Sequence, residues 1–226
     1  MTDSLFKQHL AGFTLIELSI SLLIIGLLSS GLFAGIVAQR SMAEIQAADQ
    51  QLDHIREVLL GYALSNGRLP CPAKPQLART ETAAGIEDCS LQHGVLPWIT
   101  LSIQEADPWG QRFTYFASNR FTGTLISSSN ASFTLDTLGN ANVLESSGKT
   151  IASELPAVIV SHGRNAAGAY NPQGTHLSGA TGEENENADA DLTFISHTPT
   201  PDFDDRLIWI NPSVLKSRMV AAGKLP

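Results

Sequence analysis

A single carboxylate stands where water is scarce. The stretch AGFTLIELSISLLIIGLLSSGLFAGIVA, residues 11–38, carries one acidic residue, Glu17, close to its start. A charge at the centre of a bilayer helix costs roughly 2.5–3.5 kcal/mol on insertion scales, so such a residue is expected to have a function. The chemistry available to a carboxylate in a dry setting is pairing with a cation; the alternative is that Glu17 sits at headgroup level and is solvated. Three other groups of residues could do chemistry. Cys71 and Cys89 are the only cysteines, 18 positions apart and without a CxxC partner. They could form a disulfide or, with His93 near, begin a zinc site, although no fourth ligand is apparent. GEENENADAD, residues 182–191, and DFDD, residues 202–205, hold eight carboxylates whose hard oxygens suit calcium. Their spacing does not follow the twelve-residue helix-loop-helix pattern, and a solvated acidic loop is the alternative. Ser161 and His162 are adjacent, but neighbouring strand residues point to opposite faces, which argues against a hydroxyl–imidazole pair. No G-x-S-x-G elbow, phosphate loop or HExxH occurs, so no enzyme activity is expected.

The elements that must position these residues are legible in outline. The apolar run Phe13 to Ala38, about 26 residues, would extend roughly 39 Å as a helix against a hydrocarbon core of about 30 Å, enough for one crossing. A cleaved secretory signal is the competing reading, but the run is long and its only charge lies at the wrong end. Past Arg40 the helix continues with two faces. Met42, Ile45, Leu52, Ile55, Leu59 and Tyr62 form one stripe, and Ser65-Asn66-Gly67 supplies the stop. RLPCPAKPQ opens a loop that lasts to about His93. Short β-rich runs follow at 113–121, 132–138, 155–161, 191–197 and 206–210. NPSVLKSRMVAAG reads as a closing helix with Asn211 as cap and Pro212 at its first position. One long helix and clustered strands predict an α+β fold, an antiparallel sheet packed on the polar-flanked half of the helix with a short C-terminal helix. The formal charge of −8 and the absence of any basic run exclude a broad nucleic-acid surface.

Gly12-Phe13-Thr14-Leu15-Ile16-Glu17, at the head of that apolar helix, resembles the class III leader junction of type IV pilins and of type II secretion pseudopilins. The preceding MTDSLFKQHLAG resembles their short polar leader, departing from it in having Lys7 as its only strong cation, which weakens any orientation argument from flanking charge. The resemblance implies that a membrane-embedded prepilin peptidase cuts after Gly12 and methylates the new amine on Phe13. It implies a leader at 1–12, a transmembrane half-helix at 13–38, a second half-helix at 39–66 and a periplasmic globular domain at 67–226. Glu17 then lies little more than one turn from that amine. In a filament its carboxylate could pair with a neighbouring subunit's ammonium, offsetting a desolvation cost of several kcal/mol per ion.

RLPCP, GVLPW, DPWGQRFTY, AVIVSHGRN and FDDRLIWI are more loosely similar to blocks of pseudopilin-like proteins. Trp98, Trp109 and Trp209 within them read as core or strand-face anchors. Under the implied topology the loop holding Cys71 and Cys89 faces an oxidising compartment, which favours a disulfide worth about 3 kcal/mol. Some pseudopilins bind calcium in a C-terminal loop, which makes Asp189, Asp191, Asp202, Asp204 and Asp205 weak candidates; no metal or other cofactor is otherwise expected. The expected partners are the peptidase, other pilins or pseudopilins, an inner-membrane assembly platform and, before assembly, membrane lipid. The expected place is the inner membrane, single-pass. The competing function is a monomeric, membrane-anchored periplasmic binding module.

Overall fold

The computed structural model describes residues 14–123, 125 and 130–226, and for positions 29–38 the backbone alone. Gly12 and Phe13 lie outside the described residues. The chain divides into two compact units, Met1–Ala43 and Glu44–Pro226.

Helix α1, Leu15–Asn66, runs through 52 residues. In the first unit every described side chain from Thr14 to Leu28 is exposed, with Leu15 at 88% and Ile16 at 69%. Apolar residues occupy all faces there, so the helix has no polar side to turn to water. Among the described residues no helix is long and apolar enough to cross a membrane. The described run from Leu15 to Leu28 falls short of the about 20 residues a crossing needs.

In the second unit the helix is two-faced. Ala48, Leu52, Ile55, Leu59, Leu60 and Ala63 are buried, while Asp53, His54 and Glu57 are exposed. Met42, expected on the buried stripe, belongs to the first unit and is exposed. The helix ends at Gly67, whose φ of +72° lets its N–H reach the Ala63 carbonyl at 2.8 Å. A Cβ at Gly67 would lie 2.1 Å from the Asn130 carbonyl oxygen, so closeness as well as backbone angle calls for glycine.

The remaining elements are β1 (His93–Val95), α2 (Trp98–Leu101), β2 (Thr114–Ala117), α3 (Asn119–Thr122), β3 (Ala141–Leu144), β4 (Thr150–Leu155), β5 (Ala157–Ser161), α4 (Gly182–Glu186), β6 (Thr193–Ile195), β7 (Arg206–Trp209) and α5 (Pro212–Ala221). They make an α+β domain. Four strands pair antiparallel in the order β1-β2-β5-β7, and three more form a sheet in the order β4-β3-β6. All five residues of β5 are buried. Ala157 and Ile159 join Tyr115 and Ala117 in the core beneath α1, while Val158 and Val160 join Phe116 in a second core against Val143, Leu155 and Phe194. A strand covered on both faces reads as an unbroken apolar run, which is what AVIV is. Helix α5 closes the first core with Leu215 and Met219. Asn211 caps it, accepting from Ser213 N at 2.9 Å and Val214 N at 3.3 Å.

Four expectations need correction. Ser132–Leu138 holds no strand, because the Thr137 hydroxyl accepts from Thr134 N at 2.9 Å and Thr137 N returns to the Thr134 carbonyl at 3.2 Å, closing a turn. The run at 113–121 is split, with β2 ending at Ala117 and α3 starting at Asn119. The small sheet is not wholly antiparallel, since β3 pairs with β6 in parallel. The acidic segment at 182–191 is not simply a loop; it begins as α4.

Candidate functional site

Two places gather the residues that could do chemistry, one in each unit. At the head of α1, Thr14 stands just before the first helical residue and its Oγ1 accepts from Glu17 N at 3.3 Å. Thr14 Oγ1 also reaches Glu17 Oε2 at 3.5 Å. Thr-x-x-Glu is the spacing of a capping box, with the Glu17 carboxylate here meeting the Thr14 hydroxyl in place of its backbone N–H. Glu17 thus has a local task, holding the first turn, besides any task between subunits.

The second place lies where β5 and β7 run side by side, Ser161 opposite Arg206. The adjacent Ser161 and His162 do take different partners, as the strand alternation requires. Ser161 Oγ donates to Asp107 Oδ2 at 2.6 Å, and His162 Nε2 meets Thr114 Oγ1 at 2.7 Å. Burial pushes the Asp107 carboxyl up, against the hydrogen bonds it accepts from Ser161 and from Gln111 and Trp109 N–H. His162 is wholly buried and its Nδ1 has no hydrogen-bond partner; it lies 3.7 Å from Asp205 Oδ1.

Asp205 belongs to a cluster with Glu184 and Asp204, whose ligand oxygens lie within 4.8 Å of one another. Asp204 Oδ2 accepts from Arg164 N at 2.9 Å and Asn165 N at 3.1 Å. Glu184 Oε1 accepts from Asn165 Nδ2 at 2.7 Å and Asp204 N at 3.2 Å, and Asp205 Oδ2 accepts from Asn187 Nδ2 at 2.8 Å. Burial pushes the Asp204 carboxyl up and the Asp205 charge adds to this, outweighing the backbone N–H groups of Asn165 and Arg164. Of the five aspartates singled out in the sequence, Asp204 and Asp205 meet here with Glu184. Asp189 and Asp191 form a more exposed group with Glu186, and Asp202 joins neither. Glu184 was not singled out because nothing in a run of carboxylates marks the one that folds inward.

Cys71 and Cys89 are joined as a disulfide, Cα atoms 5.0 Å apart. His93 is not beside them; its ring packs against Phe116 with centroids 4.8 Å apart. The Glu87 carboxylate ties the bridged loop down, accepting from both Arg68 terminal nitrogens at 2.8 Å, from Cys71 N at 2.9 Å and from the Tyr62 hydroxyl at 3.0 Å. Burial raises this carboxyl, but those hydrogen bonds together hold it below its usual value. Trp98 and Trp209 are the anchors expected, whereas Trp109 lies in a turn outside the strands and the core clusters and is held by a hydrogen bond. Trp98 is buried under the Arg112 guanidinium at 4.6 Å, Trp109 Nε1 donates to Glu44 Oε2 at 3.2 Å, and Trp209 packs on the second core.

A family model described as the prokaryotic N-terminal methylation motif matches residues 9–33. No curated protein and no solved structure matches the chain. The N terminus is that of a type IV pilin-like or pseudopilin-like precursor, which implies processing by a peptidase, assembly with other pilins, and a membrane-anchored or surface-filament location. The matched residues include Gly12, Phe13 and Glu17 and end well before the globular unit.

Proposed function

We propose that this chain is a minor pilin or pseudopilin, a non-enzymatic subunit of a type II secretion or type IV pilus filament. The observation that carries the reading is the head of α1, where a methylation motif opens onto a helix whose described side chains from Leu15 to Leu28 are all exposed. Such a surface needs lipid before assembly and neighbouring helices after it. Prepilin peptidase cuts after Gly12 and methylates the Phe13 amine. The precursor waits in the inner membrane with its globular unit in the periplasm, and an assembly platform draws it into the filament. There the Glu17 carboxylate meets a neighbour's terminal ammonium and sets the axial register.

Intact-mass analysis of the membrane form tests the first step: it should show the loss of residues 1–12 and the gain of one methyl group, and Gly12→Val should leave the full-length precursor. A start near Ile36 or Gln39 would overturn the reading. Crosslinking between this helix and a second pilin's helix tests the assembly step. Glu17→Ala should be inserted and cleaved but not incorporated, because it strands a neighbour's charge in a dry core. Glu17→Gln separates the two tasks of this residue, since its amide oxygen can still accept from the Thr14 hydroxyl while the ion pair is lost. It should therefore fail in assembly as Ala does. If the wild type forms no helix-to-helix crosslink at all, the membrane-anchored binding module becomes the better description.

A further inference from the structure

An edge strand leaves alternate N–H and C=O groups unpaired, and folded proteins cover, bend or cap such edges because they template pairing with another chain. The two sheets of the globular unit end in β1 and β7 and in β4 and β6. Three of these edges are managed within the chain. On β1, Ala73 exchanges two backbone hydrogen bonds with Val95, at 2.8 and 3.0 Å. On β6, the Asn187 side chain stands in for a strand, accepting from Ile195 N at 2.8 Å and donating to the Ile195 carbonyl at 3.1 Å. Asp191 Oδ1 accepts from Thr193 N of the same edge at 2.6 Å. On β4, two register shifts against β3 break the ladder.

Strand β7 has none of these devices. Its sequence, Arg-Leu-Ile-Trp, holds no proline or glycine, and its register against β5 is unbroken. Ile210 N donates to the Ala157 carbonyl at 3.0 Å, which fixes the phase of the ladder. Residues 206, 208 and 210 therefore bond inward to β5, and Leu207 and Trp209 turn their N–H and C=O groups outward. Among the described residues none of these four groups has a hydrogen-bond partner, and neither has the Trp209 indole Nε1. All four residues of β7 are partly exposed. The strand forms one side of a groove of about 470 Å³ whose walls are Arg56, Glu57 and Leu60 of α1 and Val214 and Arg218 of α5. The wall charges are already matched, Arg56 with Asp53 at 2.9 Å and Arg218 with Glu57 at 2.7 Å.

From this geometry we propose that a short extended segment of a neighbouring pilin-like subunit pairs along the outer edge of β7 and adds a strand to the four-stranded sheet. Only an extended backbone offers donors and acceptors at the two-residue repeat of about 6.8 Å that separates Leu207 from Trp209. A helix spends its backbone groups on itself. Alternate side chains of the segment fall on opposite faces, one set in the groove beside Leu60 and Val214, the other beside Leu207 and Trp209. Because the wall charges are matched, the segment that fits is uncharged and apolar at these positions. Trp209 suits such an edge, with a flat apolar face and a free N–H at its rim. A second copy offering its own β7 fits less well, since that contact is isologous and closes into a dimer, whereas a contact that propagates along a filament is heterologous. That a pilin-like subunit supplies the segment rests on the function proposed above; the bare edge does not.

The test uses the full-length protein in detergent, with the capped peptide acetyl-Thr-Val-Thr-Val-Thr-Val-amide standing in for the segment and backbone amides followed by NMR. In the free protein the Leu207 and Trp209 amides should exchange at least tenfold faster than those of Ile208 and Ile210. With peptide they should slow at least tenfold, and the Trp209 indole signal should shift. The same peptide N-methylated at alternate residues should not bind, a control that leaves the protein untouched. Leu207→Pro removes one outward N–H where an edge tolerates proline and should abolish binding, while Leu207→Ala should keep it. In cells, a photo-crosslinking residue in place of Val214 should join the chain to a different pilin-like subunit, and the product should be lost in Leu207→Pro. Slow exchange at Leu207 and Trp209 in the free monomer would overturn the proposal, as would no binding at millimolar peptide or equal binding of the N-methylated form. So would a wild-type dimer that Leu207→Pro dissociates, which would make a second copy the occupant. Loss of residues 1–12 is read separately by mass, so a correctly processed chain whose edge refuses the peptide sinks this inference alone.

Discussion

The two units of this chain treat apolar surface in opposite ways. Between Leu15 and Leu28, ten Leu and Ile side chains are exposed, whereas between Ala48 and Ala63 of the same helix Leu52, Ile55, Leu59 and Leu60 are 3% exposed or less. The two halves differ in composition as well as in spacing: Glu17 is the one charged residue between Leu15 and Leu28, whereas Asp49, Asp53, Arg56 and Glu57 lie between Ala48 and Ala63. Apolar residues on all faces exceed what one folded neighbour can cover, while apolar residues every third or fourth position make a stripe that a single sheet covers. At roughly 1.5–3 kcal/mol for each buried side chain, covering the first half is worth on the order of 15–30 kcal/mol as an upper bound. That outweighs the roughly 2.5–3.5 kcal/mol cost of carrying a carboxylate into the bilayer. The first unit therefore gains its stability from its surroundings, and the second from its own contacts.

The strongest way to test that division is to remove the second unit's covalent tie. Cys71→Ser with Cys89→Ser should lower stability by about 3 kcal/mol, read from denaturant unfolding in detergent, because the 18-position separation adds loop entropy to the unfolded chain. Removal of residues 1–12 should proceed as in the wild type. If cleavage fails as well, the units are not separable in the way their surfaces indicate.

The next effect in size belongs to the Glu87 ion pair. Its carboxyl is held below its ordinary value in the folded state, so the stabilisation it gives is full above the unfolded value of 4.5 and is lost as pH falls through the lower folded value. Glu87→Gln should cost about 1–3 kcal/mol at neutral pH and flatten the decline in unfolding midpoint below about pH 4.5. An unchanged acid limb would mean that other carboxylates carry it.

How much of this was legible in the sequence follows the same division. The head of α1 could be read because its signal is local: Gly12, Phe13 and Glu17 lie within six positions, ahead of an uninterrupted apolar run. The cap of α5 was equally plain in Asn211-Pro212. Strand β4, TIASEL, was missed because it is largely exposed and carries little alternation, and β1 because Gly94 stands in a strand of three residues. The carboxylate cluster was half visible. Asp204 and Asp205 were picked out as acidic, but Glu184, Asn165, Asn187 and His162 join them only through the pairing of β5 with β7 and the return of α4. No spacing rule along the chain encodes that meeting.

The smallest effect gives the cleanest comparison, because the same chemistry occurs in both units. Asn211 Oδ1 caps α5 and Thr14 Oγ1 caps α1, each accepting a first-turn N–H. Removing a cap costs typically about 1 kcal/mol wherever it is. Helix α5, however, buries Leu215 and Met219 in the domain core, so Asn211→Ala should lower the free energy of cooperative unfolding by that amount and its midpoint with it. Thr14→Ala removes its cap from a turn whose side chains are exposed, so the loss should stay local. It should be read as faster amide exchange at Leu15 to Leu18 in detergent, with the unfolding midpoint unmoved. Equal drops in the midpoint for both variants would show that the head of α1 and the domain unfold as one, and that the contrast between the units lies in surface alone.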